Sequence, residues 1–315
     1  MSTIISNMLT ILDFAKRINN GVLTPIVETL NKTNAMWDDA PWLASSSENS
    51  HSFGKRTSLP SGTWRALNQG VARERSHTVM EEEPIGLLEG YSQIDEHEVN
   101  SAPDKAQYRA IEDLAFLEGM GQTLASAMVY GNRAVNPNQI TGFANRYNAL
   151  ALDNVHSAGG SGTMYSFWII QWGIDVHLVY PKNDPMLGIR QRDNGLVDVT
   201  DANSAKYKAY ETQFSVRPGI VVRDDRKVQR VCNIDITKLD AASQKLSIAL
   251  RNMPNDGAGS VIYAPKELLG YFDVFARDKT NVSYDVNNPF GRQVAMYQGT
   301  PVKKMEALVA ESAVT

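Results

Sequence analysis

The side chains that could do chemistry in this chain are scattered. Its five histidines (His51, His77, His97, His156, His177) never fall into the H-E-x-x-H spacing of a helix-borne zinc site. The single cysteine, Cys232, has no second thiolate to share a metal with. It also excludes an intramolecular disulfide framework and fits folding in a reducing cytoplasm. Glu96-His97-Glu98 has the composition of a metal or acid–base cluster, but it reads better as the polar end of a strand before a helix cap. Gly159-Gly160-Ser161-Gly162-Thr163 resembles a phosphate cradle only loosely. It lacks both the Lys-Ser/Thr ending of a P-loop and the G-x-S-x-G of a nucleophile elbow, and is expected to be a flexible loop. Asp193-Asn194-Gly195 with Asp198 and Asp201 does not have EF-hand spacing and reads as a solvated loop. No active site is supported, and no metal or cofactor is expected.

The elements around these residues are more telling. Ser101–Asn145 reads as a long helix over 102–131 that stops at Tyr130-Gly131-Asn132. Ala110, Leu114, Leu117, Gly121, Leu124 and Met128 line one face at 4-3-4-3 spacing. Ser101 and Asp104 have capping-box spacing, and Gly131 stands where a left-handed C-cap is wanted. A rod of roughly 40 Å is long for a compact domain and suggests an element laid along a surface. Gly119-Met120-Gly121 lies inside it, so it cannot be a dinucleotide turn. Each glycine costs up to ~1 kcal/mol relative to Ala, tolerable where another backbone, such as a neighbouring chain's, comes close.

Composition places the chain in the soluble globular class. Its 315 residues, 43% hydrophobic, suffice for one large domain or two ordinary ones. A net charge of -4 argues against a protein that coats nucleic acid with its whole surface. No apolar run reaches the ~18 residues of a membrane span. The N-terminus does not read as a secretory signal, because Asp13, Lys16 and Arg17 interrupt its apolar stretch.

Residues 6–19 have the pattern of a short amphipathic helix ending at Asn19-Asn20-Gly21, and Thr24-Pro25 opens another brief turn. From Asn31 to Gly70 helical periodicity vanishes, while Trp37, Trp42, Phe53 and Trp64 punctuate the segment. So long a structureless stretch is improbable within a compact domain, and its tryptophans argue against disorder. An arm that folds on something else is expected. Phe53–Glu83 reads as a long open β-hairpin with its tip near Pro60–Gly70. It is basic through Lys55, Arg56, Arg65, Arg73 and Arg75 until Glu81-Glu82-Glu83. A lone two-stranded ribbon is marginal in water and needs a partner surface.

Beyond the helix the chain turns β-rich. Phe167–Trp172 and Val176–Tyr180 are apolar runs. Tyr210, Thr212, Phe214 and Val216 alternate with polar residues, as in a half-buried strand. Gly219–Arg223 and Lys227–Ile236 read as a further hairpin. Helices are expected at Ala241–Met253 and Pro265–Ala276, with a strand at Ser260–Tyr263 between them and a last extended segment at Val294–Val302 broken by Gly299. The class is α+β without βαβ or internal repeats.

Several segments, in order, resemble the major capsid proteins of tailed bacteriophages with the Hong Kong 97 fold. Asp39-Ala40-Pro41-Trp42 looks like the end of the N-terminal arm, and Leu59-Pro60-Ser61-Gly62-Thr63-Trp64-Arg65-Ala66-Leu67-Asn68-Gln69-Gly70 like the tip of the extended loop. Phe116-Leu117-Glu118 through Tyr130-Gly131-Asn132 looks like the spine helix, with Thr141-Gly142-Phe143 following. Trp172-Gly173, Val176-His177 and Tyr180-Pro181-Lys182 are similar to an axial-domain hairpin. Gly219–Asp224, Arg230-Val231 and Asn233-Ile234-Asp235 are similar to peripheral-domain strands, and Gly299-Thr300-Pro301-Val302 to the terminal G-x-P-V turn.

The resemblance implies an arm over 1–48, an extended loop over 49–83, a peripheral domain over 84–150 and 205–236, and an axial domain over 151–204 and 237–315. It implies hexamers and pentamers of this chain in an icosahedral shell around a phage genome, located in the virion and assembled in the host cytoplasm. Because only ~45 residues precede the loop, it also implies a separate scaffolding protein, together with a portal, and double-stranded DNA contacted non-specifically. Inter-subunit contacts are expected from Trp42, Lys55, Arg56 and Trp64, from Arg65, Asn68, Arg73 and Arg75, and on the helix from Glu112, Asp113 and Glu118. Two alternatives stay open at this point: an encapsulin-like nanocompartment shell, and a soluble α+β enzyme with its site at His156 and Gly159–Thr163.

Overall fold

The alternating run around Tyr210 forms the middle strand, Lys206–Val216, of a three-stranded antiparallel sheet with Arg190–Thr200 on one side and Leu88–Asp95 on the other. Thr212, Phe214 and Val216 are buried, as period-two alternation requires. A bulge between Asp193 and Gly195 is accommodated by Gly195 at φ 72°. This computed structural model describes residues 34–183, 188–201, 203–236, 239–270 and 295–315, plus the strand backbones at 18–19, 22–23 and 282–284. Two compact units emerge. The first comprises the 18–23 ribbon with Leu88–Leu124 and Gly188–Val216; the second comprises Lys32–Leu87, Ala125–Leu187 and Arg217–Thr315.

In the first unit, the helix Glu96–Ser101 is capped by Asp95, whose carboxylate accepts the His97 N–H at 2.7 Å. Glu96-His97-Glu98 is therefore the first turn of a helix and not a strand end. Ile94, Val99, Ala102 and Tyr108 form a small core there. The long helix, Lys105–Tyr130, starts at Asp104 and not at Ser101: Asp104 accepts from Ala106 N (3.0 Å) and Gln107 N (3.1 Å), while Ser101 bonds back to His97 O. Its 26 residues span roughly 39 Å. Helix residues through Leu124 belong to the first unit and those from Ala125 to the second.

The second unit is built on a sheet ordered 282–284, 295–297, 300–304, 261–264, 163–170, 228–234, 155–157, with 311–312 also paired to 163–164. Phe167 and Ile169 face the helix Leu239–Asn252, whose Leu239, Ala242, Leu246, Ala249 and Leu250 recur at helical spacing and are buried. Each of the leucines stabilises by about 2 kcal/mol. Trp168 points to the other face and meets Phe143 at 6.1 Å. Tyr297-Gln298-Gly299-Thr300 closes a two-residue hairpin with positive φ at both Gln298 and Gly299.

Several expectations are corrected. Val176–Tyr180 does not pair with Thr163–Ile170; it joins a second sheet, antiparallel to Gly219–Val222 and parallel to Trp42–Ala44. Gly219–Val222 and Val228–Ile234 therefore belong to different sheets and form no hairpin. The expected division of 84–150 with 205–236 from 151–204 with 237–315 cuts across both larger sheets. Pairing joins 163–170 to 228–234 and 190–200 to 206–216. The stretch after Asn31 is not structureless: Ala35–Asp39 is helical, Met36 is fully buried, and Asp39 bonds Lys303 and the Tyr263 hydroxyl in its own chain. Ile18–Asn19 pairs with Val22–Leu23, so the helix expected over 6–19 does not reach Ile18, and the rest of it lies outside the described residues. Of the helix expected at Pro265–Ala276, residues 266–270 are helical and 271–276 lie outside the described residues.

Gly131 is not in the left-handed region. Its N–H bonds Ala127 O at 2.9 Å and its carbonyl accepts from Gly142 N at 2.9 Å. A Cβ there would lie 2.5 Å from Ala127 O and closer still to Ile140 O. Close approach of the returning chain, and not turn geometry, is what calls for glycine.

Candidate assembly interface

The hairpin pairs Ser50–Ser58 with His77–Pro84 in antiparallel register, from Ser50 opposite Pro84 to Ser58 opposite His77. Its root is anchored in its own unit. Phe53 packs with Val179 and Val221. Arg146 makes two bonds to Glu83, at 2.5 and 2.8 Å, and Arg217 meets Glu48 at 2.7 Å. Lys55 pairs with Asp225, which also accepts the Tyr147 hydroxyl at 3.0 Å. Burial opposes the charges of Lys55 and Arg146, but the bonds to Asp225 and Glu83 outweigh it and hold both pKa values above their usual ranges. Burial and the neighbouring Asp225 push the Tyr147 phenol well up.

Past Ser58 this support ends. Residues 59–76 form no strand, and 59–75 lie exposed. Leu59 is 72% exposed, Leu67 94% and Trp64 fully so. The tip has only local order: Glu74 accepts from Ser61 N (2.8 Å) and Gly62 N (3.2 Å), bonds that pull its carboxyl below the usual range, and Arg65 donates to Gln69 O at 3.0 Å. Asn68 turns the chain at φ 65°. Large apolar side chains held out on a ribbon without a core mark an interaction surface.

The sites expected to make contacts thus fall into three groups. Trp64, Arg65, Asn68, Arg73 and Arg75 lie exposed on the tip, and Arg56 is exposed on the outgoing strand. Lys55 is committed to Asp225, and Trp42 stands edge-on to Trp37 at 4.8 Å, so both are engaged within the chain. On the helix, Glu112 is half-buried and Glu118 accepts from Gln122 at 2.8 Å.

Asp113 corrects the expectation of an outward charge. It is 8% exposed and accepts from Gln191 and Thr212, each at 3.2 Å, while its Oδ1 has no partner among the described residues. The helix is turned so that Asp113, Phe116 and Met120 meet the three-stranded sheet, with Phe116 stacked on Phe214 at 6.1 Å. The stripe expected to be the buried one is therefore bare over its first half. Ala110 and Leu114 are exposed, Leu114 at 63%, and Leu117 is half-buried. They line a groove of roughly 410 Å³ that also takes in Ala106, Arg109 and Asp193. A methyl group added at Gly119 or Gly121 would meet nothing within 4 Å.

The catalytic alternative finds no geometry. His156 bonds Gln229 at 2.9 Å, Gly159 and Gly162 turn a loop at positive φ, and among the described residues no three His, Cys, Asp or Glu side chains converge as metal ligands. Among the described residues no helix is long and apolar enough to cross a membrane.

A sequence model of the family described as Major capsid protein GP7 matches residues 19–315. The chain belongs to that family. It is a phage major capsid protein of the Hong Kong 97-like α+β fold that forms the icosahedral shell; it is a component of the virion and structural, not enzymatic. A chain of the bacteriophage Epsilon15 structure is similar over 100% of this chain and 99% of its own, with 25% identity and a TM-score of 0.74. The bacteriophage JBD30 capsid is similar in fold over 89% of this chain and 93% of its own, with 10% identity and a TM-score of 0.52. No curated protein matches. In this GP7-family subunit the sequence pointed to the tip and the helix but missed the anchor formed by Glu83, Arg146, Tyr147 and Asp225. The partners are 63 and 78 residues apart in the chain, and nothing in their local patterns signals the pairing.

Proposed function

We propose that the subunit assembles its shell by laying the hairpin tip of one copy on the bare helix stripe of a neighbouring copy. The carrying observation is the complementarity of two exposed surfaces. One is a tip presenting Leu59, Trp64 and Leu67 among arginines; the other is a stripe of Ala110, Leu114 and Leu117 beside Glu112 and Glu118. Covering Trp64 alone would remove roughly 150–250 Å² from water, and exposed charge pairs at the rim would add ~0–1 kcal/mol each. Repetition around a closed shell multiplies such terms.

The unit holding the three-stranded sheet would serve as the peripheral domain and the unit holding the central sheet as the axial domain, a reading supported by the strand pairing. A separate scaffolding protein, a portal and double-stranded DNA contacted without sequence preference are the proposed partners. The net charge of -4 and the confinement of the tip arginines to one ribbon support weak, non-specific DNA contact.

Leu114→Asp, Trp64→Ser and Arg65→Glu test the contact. Each variant is expected to melt like wild type while shell yield, read by sedimentation and electron microscopy, falls; a charge reversal at Glu112 or Glu118 should partly rescue Arg65→Glu. Shells of all three at wild-type yield and denaturant resistance would show that the tip does not dock on this helix.

A further inference from the structure

The root of the hairpin also carries two histidines that the assembly contact does not use. His51, on the outgoing strand, stands edge-on to His177 of Val176–Tyr180, with ring centroids 5.8 Å apart at 88°, and is stacked with Phe53 at 6.2 Å. Its Nδ1 accepts the Ser46 N–H at 3.2 Å, which leaves the ring proton on Nε2 and the ring neutral. His177 is 2% exposed, and neither ring nitrogen makes a well-formed hydrogen bond among the described residues, the Ile174 carbonyl being the backbone group that favours its protonated ring. A buried imidazole so placed calls for an explanation.

The surrounding charges define what a proton would meet. Arg223 acts on both rings and disfavours a second cation. The carboxylates that could compensate are already committed: Glu83, opposite His51 in the ladder, to Arg146, and Asp175 to Lys227 at 2.7 Å. A proton on either ring therefore enters a mostly dry site beside a guanidinium, with no free anion at hand.

We propose that the His51–His177 contact is an acid-sensitive latch: neutral, it keeps the hairpin root seated on the strand Val176–Tyr180; protonated, it releases the root. Burial, then His51 and Arg223, push the pKa of His177 from 6.5 down to about 4, and burial, then Arg223, lowers that of His51. In the released state the rings return towards 6.5. That state then binds more protons than the seated one, so seating is strongest above pH 6.5 and weakens progressively as pH falls to about 4. For His177 alone the seating equilibrium at pH 4.5 is weakened roughly 60-fold relative to pH 7.

The inference goes beyond the docking of the tip and does not depend on it, because the measurement reads one chain. Hydrogen exchange of the full chain, corrected for intrinsic rates, is followed over 50–58 and 77–84 at pH 7 and 4.5, with the central strand 163–170 as reference. Wild type should lose protection roughly 60-fold at the root while the reference holds. His177→Phe, which keeps the ring, and His177→Gln, which keeps a polar group, should each change less than about threefold. Equal loss in wild type and both variants, loss at the reference strand along with the root, or full protection of the wild-type root at pH 4.5 overturns the latch.

Discussion

Replacing Glu83 with Gln asks whether charge or packing holds the root of the hairpin. Arg146, at the end of the short helix Phe143–Arg146, bonds both Glu83 oxygens and donates its Nε–H to Thr141 O at 3.1 Å. Both side chains of the pair are 16% exposed. Removing the carboxylate charge leaves a cation in a mostly dry site. Breaking a fully buried pair costs about 3–5 kcal/mol, and the residual exposure places this one near ~3 kcal/mol. With a urea slope of about 3 kcal/mol/M for a chain of this size, the midpoint should fall by about 1 M. Exchange protection over 77–84 should fall with it, and it is the safer readout because the hairpin and the rest of its unit need not unfold in one step. Arg146→Met should cost a similar amount. Glu83→Leu combined with Arg146→Met should recover much of the loss, a coupling of roughly 2 kcal/mol, because an apolar pair replaces an ion pair at little net cost. Single shifts below about 0.3 M that simply add in the double variant would refute the argument.

Two further outcomes follow from the end of the long helix. Gly131→Ala drives a methyl group into Ala127 O and Ile140 O and should cost about 2 kcal/mol or more; a calorimetric melt unchanged within about 1 °C would show that the approach is not tight. Burial pushes the Tyr130 phenol, which bonds Val309 N at 3.1 Å, up to about 12. The folded chain therefore keeps a proton that the unfolded chain gives up, so this contribution is complete below pH 10 and lost between 10 and 12. Tyr130→Phe should lower the urea midpoint slightly at pH 9 but flatten its fall towards pH 11; parallel slopes for the two proteins would refute that origin.

Local pattern made the long helix, the alternating strand around Phe214 and the basic hairpin legible, because each is written in neighbouring residues. What local pattern could not carry was the choice of partner. The stripe from Ala110 to Gly121 reads as buried by its residue types, yet Thr212 and Gln191, roughly 80–100 residues further on, receive Asp113 instead and leave Leu114 bare. In the same way Val176–Tyr180 follows Thr163–Ile170 closely enough to suggest a hairpin, but its partners come from 42–44 and 219–222. Of the candidate contact surface, the tip was legible because its apolar residues have no sequence context to bury them. The anchor beneath it was not, because its charges look like any solvated run until the chain folds.

The position of the strand 163–170 sets a timetable for synthesis. It borders 228–234 and 261–264, and its first residues also pair with 311–312. Arg230, 3% exposed over the Trp168 ring, pairs with the carboxylate of Glu311 at 2.7 Å. Between Met164 and Glu311 the ribosome adds 147 residues (311 − 164), roughly 7–30 s of elongation at ~5–20 residues/s. For that interval the nascent chain offers bare strand edges, and over its last 81 residues (311 − 230) an uncompensated guanidinium as well, the condition in which edge-to-edge aggregation begins. The same spacing withholds the finished sheet until Glu311 has been made, so no chain short of that residue can present the sheet's completed surface to neighbouring subunits.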